Sequence, residues 1–137
     1  TKDVQTFIAA NKEHAVYKDA IAILGQAMEA LGSCGAKFMM WFGGGKMEMV
    51  PLAANRFLEM MSETVVGWLL LDAAVKADAA AAKLADGHPD RAFYEGKKYS
   101  ALYFARNVMP EVVAKAQLIA REDRSSIEIS NAAFAPA

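Results

Sequence analysis

Two histidines, one cysteine, a glycine triplet beside a lysine and a few spaced acids are the residues here whose types could do chemistry. A carboxylate-bridged metal pair in a helical bundle needs Glu-x-x-His, because residues three apart share a helix face and can grip one ion. The residue three before His14 is Asn11, and the one three before His88 is Ala85. No metal site is expected. His88 precedes Pro89 in a connection and reads as a solvated loop histidine. Gly43, Gly44 and Gly45 followed by Lys46 have the outline of a phosphate loop. Such a loop follows a buried strand, carries Ser or Thr after the Lys and leads directly into a helix. Here Met47 takes the hydroxyl position and the next helix begins only near Pro51, so a turn is expected.

A nucleophile would need Cys34 or a serine beside a histidine and an orienting acid. Cys34 falls on an apolar stripe, where an inert buried thiol is expected. Ser125-x-x-Glu128 spells a capping box. Asp72 interrupts a greasy segment, but Lys76 follows it by four residues, and Glu111 with Lys115 repeats that helical pairing. Glu59 and Glu63, one turn apart, have the spacing of a paired-acid site and read as a wet helix face. No residue is assigned a catalytic role, a metal or a complete cofactor site.

The elements that carry these residues are set by few, well-spaced breakers. The glycine triplet with Pro51 is the first, and Gly87, His88, Pro89 and Asp90 form the second. Stretches of roughly thirty residues lie between them with apolar spacing of three to four. Short connections make neighbouring helices antiparallel. The fold class predicted is all-α: an up-down antiparallel bundle of three long helices plus a shorter N-terminal one, with a short polar tail, as a single domain over 1–137.

Val4, Phe7 and Ile8 start the short helix, with Asp3 as its cap. The first long helix lines up Val16, Ala20, Ile23, Ala27, Leu31, Cys34, Phe38 and Trp41. Gly25, Gly32 and Gly35 weaken it and allow close approach of another helix. The second long helix runs through Phe57, Leu58, Met61, Val65, Trp68 and Leu69 to an alanine-rich end stopped by Gly87. The third carries Pro110 inside it, so a kink that frees the carbonyl of Arg106 is expected.

A net charge of −1 gives no basic field for nucleic acid or an anionic membrane surface. The apolar run from Val65 to Leu71 is stopped by Asp72 far short of a bilayer span. A lone cysteine permits no intrachain disulfide, which predicts a reducing, cytoplasmic setting. Thr1, Lys2 and Asp3 begin neither a signal peptide nor a chain with an initiating Met, so a piece of something longer is expected. One feature exceeds the needs of a core. Around Val65 to Leu71 the helix is apolar on every face, and Met39, Met40, Met60 and Met61 add soft apolar surface. The predicted docking face is Val65, Val66, Trp68, Leu69 and Leu70.

Phe93, Tyr94, Glu95, Gly96 and Lys97, then Ala101, Tyr103, Phe104, Met109, Pro110 and Glu111, resemble the last long helix of one accessory domain. It is the C-terminal helical domain appended to one branch of the acyl-CoA dehydrogenases. Asp123 to Ile129 and Phe134 resemble the closing segment of the same proteins, and Gly67 with Trp68 is consistent with it. The resemblance implies a parent enzyme that binds FAD and oxidises an acyl-CoA thioester between its α and β carbons. In that family a glutamate base takes the α proton, hydride passes to the flavin, and an electron-transfer flavoprotein reoxidises it. Base and flavin segments lie upstream of this domain. The partners implied are the rest of the dehydrogenase chain or a second subunit. Arg56 and Arg106 read as solvated surface arginines, with contact to an adenosine phosphate in the assembled enzyme as the alternative. From the residues alone, a self-standing helical module that homodimerises through Val65 to Leu71 is the competing reading.

Overall fold

The structure, a computed structural model, describes residues 2–134; residue 1 and residues 135–137 of the expected domain lie outside the described residues. The chain forms helices α1 (Lys2–Asn11), α2 (Lys18–Gly43), α3 (Met49–Ala81), α4 (Asp90–Asn107), α5 (Pro110–Ala120) and α6 (Ser125–Glu128). A 3-10 turn over Asn131–Phe134 follows, and no strand occurs among the described residues. This is the all-α antiparallel bundle that the periodicity predicts.

Each helix buries one stripe. On α3 it is Met49, Ala53, Met60, Thr64, Gly67, Leu71, Ala74 and Ala77, spaced by three, four or seven residues. The start of α2 (Ala20, Ile21, Leu24) shares a core with the end of α3 (Leu71, Ala74) and with Ala101, Leu102 and Ala105 of α4. The end of α2 (Cys34, Trp41) shares a second core with the start of α3 (Met49, Ala53, Met60) and with Val112 and Ile119 of α5. These pairings set α2 and α3 antiparallel, with α4 and α5 running back alongside α3. Tyr17 closes one end, fully buried, its hydroxyl donating to the Ala74 carbonyl at 3.4 Å. Burial, then the nearby Asp78 carboxylate, hold this phenol well above its ordinary pKa.

The third rod departs from a simple kink. The amides of Val108 and Met109 both reach the Phe104 carbonyl, at 2.9 and 3.1 Å, and α5 restarts at Pro110. Pro110 has no N–H to offer the Arg106 carbonyl, while the first turn of a new helix suits it. The break turns Met109 inward. Its side chain is fully buried and lies against Gly67, where a Cβ would overlap its Sδ and come within 2.9 Å of its Cγ. Gly67 is therefore a notch cut in α3 for Met109.

Candidate functional site

The five residues of the predicted docking face do not share a face. Successive residues turn about 100° around a helix, and Gly67 and Leu71 fix the inward direction of α3. Val65, Val66 and Leu69 are exposed, whereas Trp68 and Leu70 are half-buried against the core that holds Ile21 and Leu24. The outward stripe of α3 is Leu58, Met61, Val65 and Leu69, 58%, 41%, 46% and 51% exposed. Leu58 and Met61 join it because they precede Val65 by seven and four residues, a phase that was open to reading in the sequence.

Beside this stripe runs a groove of about 470 Å³ between α2 and α3. Met28, Leu31 and Gly32 form one wall and Phe57, Met61 and Val65 the other, while Val4 and Gln5 of α1 also line it. Thr64 lines it too, its hydroxyl spent on the Met60 carbonyl at 2.7 Å. Glu29 is the one charged residue lining the groove. Apolar shape without an array of polar anchors suits another protein surface better than a small polar substrate.

The charged side chains form structural locks. Lys115 of α5 donates to Glu63 of α3 and lies 3.4 Å from Glu59 and 3.7 Å from Glu111. The Glu111–Lys115 spacing was legible; the reach across to α3 was not. Burial works to lower the Lys115 pKa, but the hydrogen bonds and charges of Glu63 and then Glu59 outweigh it and raise the value. Asp72 and Lys76 pair at 2.6 Å, as their spacing predicts. Among the described residues no group of three or more His, Cys, Asp or Glu side chains gathers as a metal site would require.

The second lock fastens the tail. Glu122 follows α5 in the left-handed region, φ 52°, where a helix more often ends on glycine. Its carboxylate accepts from Lys37 and from Lys46, both at 2.8 Å. These lysines lower its pKa to about 2, with a smaller contribution from the Trp41 indole. Lys46, the would-be phosphate lysine, is thus committed to a carboxylate, and Gly45 serves the turn with φ 73°. Arg124 pairs with Glu48 and holds that carboxylate below its usual range.

The expected capping box is replaced by Asp123. Its two carboxylate oxygens accept the Ser125 amide and hydroxyl, both at 3.0 Å, so Ser125 makes no cap of its own. His88 accepts the Asp90 amide at 3.2 Å, and burial pushes the thiol pKa of Cys34 up. Arg56 and Arg106 are exposed, and neither makes an ion pair among the described residues.

The Glu122 lock carries a pH signature. A carboxyl whose folded pKa is depressed stabilises the fold fully above its ordinary value, here near 4.5, and loses that contribution as pH falls toward about 2. Acidification through this window is expected to free the tail and red-shift Trp41 emission before the helices melt by circular dichroism. Glu122→Gln should give the same emission at neutral pH. Unchanged emission in that variant would exclude the lock.

Among the described residues the bundle presents an open apolar groove between α2 and α3 and no cluster of metal-ligating side chains. The chain belongs to the family described as acetyl-CoA dehydrogenase C-terminal like, whose pattern matches residues 1–130. It is 30% identical over 131 residues to a butyryl-CoA dehydrogenase of Syntrophomonas wolfei, covering 96% of this chain and 21% of that protein. It is 29% identical over 136 residues to the broad-specificity linear acyl-CoA dehydrogenase FadE5 of Mycobacterium tuberculosis, covering 96% of this chain and 22% of that one. The chain thus spans about a fifth of the length of these curated relatives. No helix among the described residues is long and apolar enough to cross a membrane.

Proposed function

We propose that this bundle is the non-catalytic C-terminal domain of an FAD-dependent acyl-CoA dehydrogenase and braces that enzyme through the outer face of α3. The observation that carries the reading is the exposed stripe of Leu58, Met61, Val65 and Leu69 in a region that forms about a fifth of its dehydrogenase relatives. Val66 lies exposed beside it, and half-buried Trp68 and Leu70 support it from within. The parent reaction is α,β-dehydrogenation of an acyl-CoA thioester, with flavin, base and thioester held by residues outside this chain. The α2–α3 groove does not fit a flavin: it offers apolar walls and Glu29, with no basic side chain for a pyrophosphate. No step of the reaction is placed on this domain. Electron-transfer flavoprotein is a partner of the parent enzyme, and a reducing cytoplasmic compartment suits the single buried thiol.

Leu69→Glu in the complete dehydrogenase tests the reading. The side chain is half exposed, so the bundle itself should fold as before. Losing an apolar contact and burying a carboxylate at the interface should lower the enzyme's melting temperature and speed flavin loss on heating. A variant indistinguishable from the parent in both would overturn the bracing role. Trp68 is unsuited to this test, because its substitution would disturb the core.

A further inference from the structure

On the reading that the chain is one domain of a longer dehydrogenase, we infer that the α2–α3 groove seats an apolar helix from the remainder of the same polypeptide. Three glycines inside α2 are the first reason. Gly25, Gly32 and Gly35 each weaken a helix, and a Cβ added at any of them meets nothing within 4 Å. Packing inside this domain gives them no purpose. With Met28 they follow one another at steps of three, four and three residues, a single stripe along the helix. Gly32 and Met28 line the groove directly, opposite Phe57, Met61 and Val65 of α3.

Gly32 leaves a gap in this wall where a second backbone can approach closely, flanked by the large side chains of Met28, Leu31 and Phe57; Gly25 and Gly35 continue the stripe beyond the groove lining. Two antiparallel helices with such a furrow between them accept a third helix more readily than a strand, whose unpaired edge would meet no ladder. The lining carries one charge, Glu29, which fits a contact made once and kept rather than one that exchanges. The occupant follows from the lengths. The region matched is 21% and 22% of one polypeptide in the relatives, so in a chain built as they are the remainder is tethered to this domain. Tethering supplies an effective concentration that a free second copy does not reach.

Gly32→Lys in the complete polypeptide separates this seat from the folding of the domain. The new Cβ meets nothing, lysine is a better helix former than glycine, and Glu29 stands one turn before it. The bundle should therefore melt no lower while a charge blocks the seat. The readout is peroxide oxidation of individual methionines, followed by mass spectrometry. In the bundle alone Met61 is 41% exposed and Met40 72%, which sets less than a twofold difference. With the seat filled, Met61 should oxidise at least fivefold more slowly than Met40. Gly32→Lys should erase that protection without changing the particle mass.

Equal rates in the unmodified enzyme, or protection that survives Gly32→Lys, would overturn the proposal. So would protection lost together with a halving of mass, which would assign the groove to a second copy. If Leu69→Glu loosens the enzyme and Gly32→Lys does not, the bracing role stands and only the seat falls. If neither has an effect, both fall.

Discussion

Met109→Ala is expected to cost the bundle about 3 kcal/mol, in the range for emptying a fully buried methionine site. Met109 is where three features of the chain meet. Pro110 ends α4, the break turns Met109 inward, and Gly67 gives it room on the facing surface of α3. It belongs to the core that α2, α3 and α4 share, so its loss leaves a void there. In a chain of this size the change should lower the melting temperature by roughly 10 °C.

The partner substitution sharpens the test. Gly67→Ala gains about 1 kcal/mol of helix propensity, yet its methyl group overlaps the Met109 sulfur, and overpacking costs about 1–3 kcal/mol. A net loss is expected with Met109 present and a net gain with Met109→Ala, a reversal of sign that urea unfolding of the four proteins would record. If Gly67→Ala stabilises both backgrounds equally, the notch has no energetic role.

How much of this was legible follows from the range of each interaction. The breaks between the rods were readable because Gly43 to Gly45 and Gly87 to Pro89 act on their own neighbours along the chain, whereas Pro110 read as a kink and instead starts a separate helix. The Asp72–Lys76 pair was readable for the same reason. The Lys115–Glu63 contact was not, because it depends on the register of α5 against α3, which the Pro110 break and Met109 insertion set together. Likewise nothing near Glu122 in sequence announces Lys37 and Lys46, over seventy residues away. The apolar run from Val65 to Leu71 shows a subtler limit. Its excess was visible, but taking it as a block combined Val65 and Leu69, which face out, with Trp68 and Leu70, which lean on the core. Phase relative to Gly67 separates them, and the role of Gly67 emerges only once Met109 is seen against it.

Removing the Lys115 charge should have the second large effect. Lys115→Met keeps the length of the side chain and deletes the cation from among Glu63, Glu59 and Glu111. Glu59 and Glu111 are 59% and 60% exposed and can turn to solvent, so each contact is worth little. Glu63 cannot turn so freely. Its side chain is 18% exposed, Lys115 is 17% exposed, and one Glu63 oxygen is already buried without a partner. The cost of stranding that carboxylate lies between those of an exposed and a fully buried pair, about 2 kcal/mol at neutral pH. Glu63→Gln in the same chain should return most of it, since the stranded charge, more than the lost attraction, is what the lysine prevents.

The alkaline limb supplies the sign. A lysine whose pKa is raised on folding stabilises fully below its unfolded value near 10.4 and loses that contribution as pH rises through the folded one. Tyr17 adds a loss of the same sign above about 10, because its phenol is also held up in the fold. The comparison must therefore be between Lys115→Met and the parent, with urea as an uncharged denaturant. Their stabilities should begin to converge above about pH 10.4, where the unfolded lysine discharges, and meet only once pH passes the raised folded value and Glu63 is left in the same predicament. Curves that stay parallel to pH 11.5 would mean that Lys115 contributes packing and no electrostatic lock. If they converge, the ion pair reports the contact between α3 and α5, which adjoins the Gly67 notch for Met109.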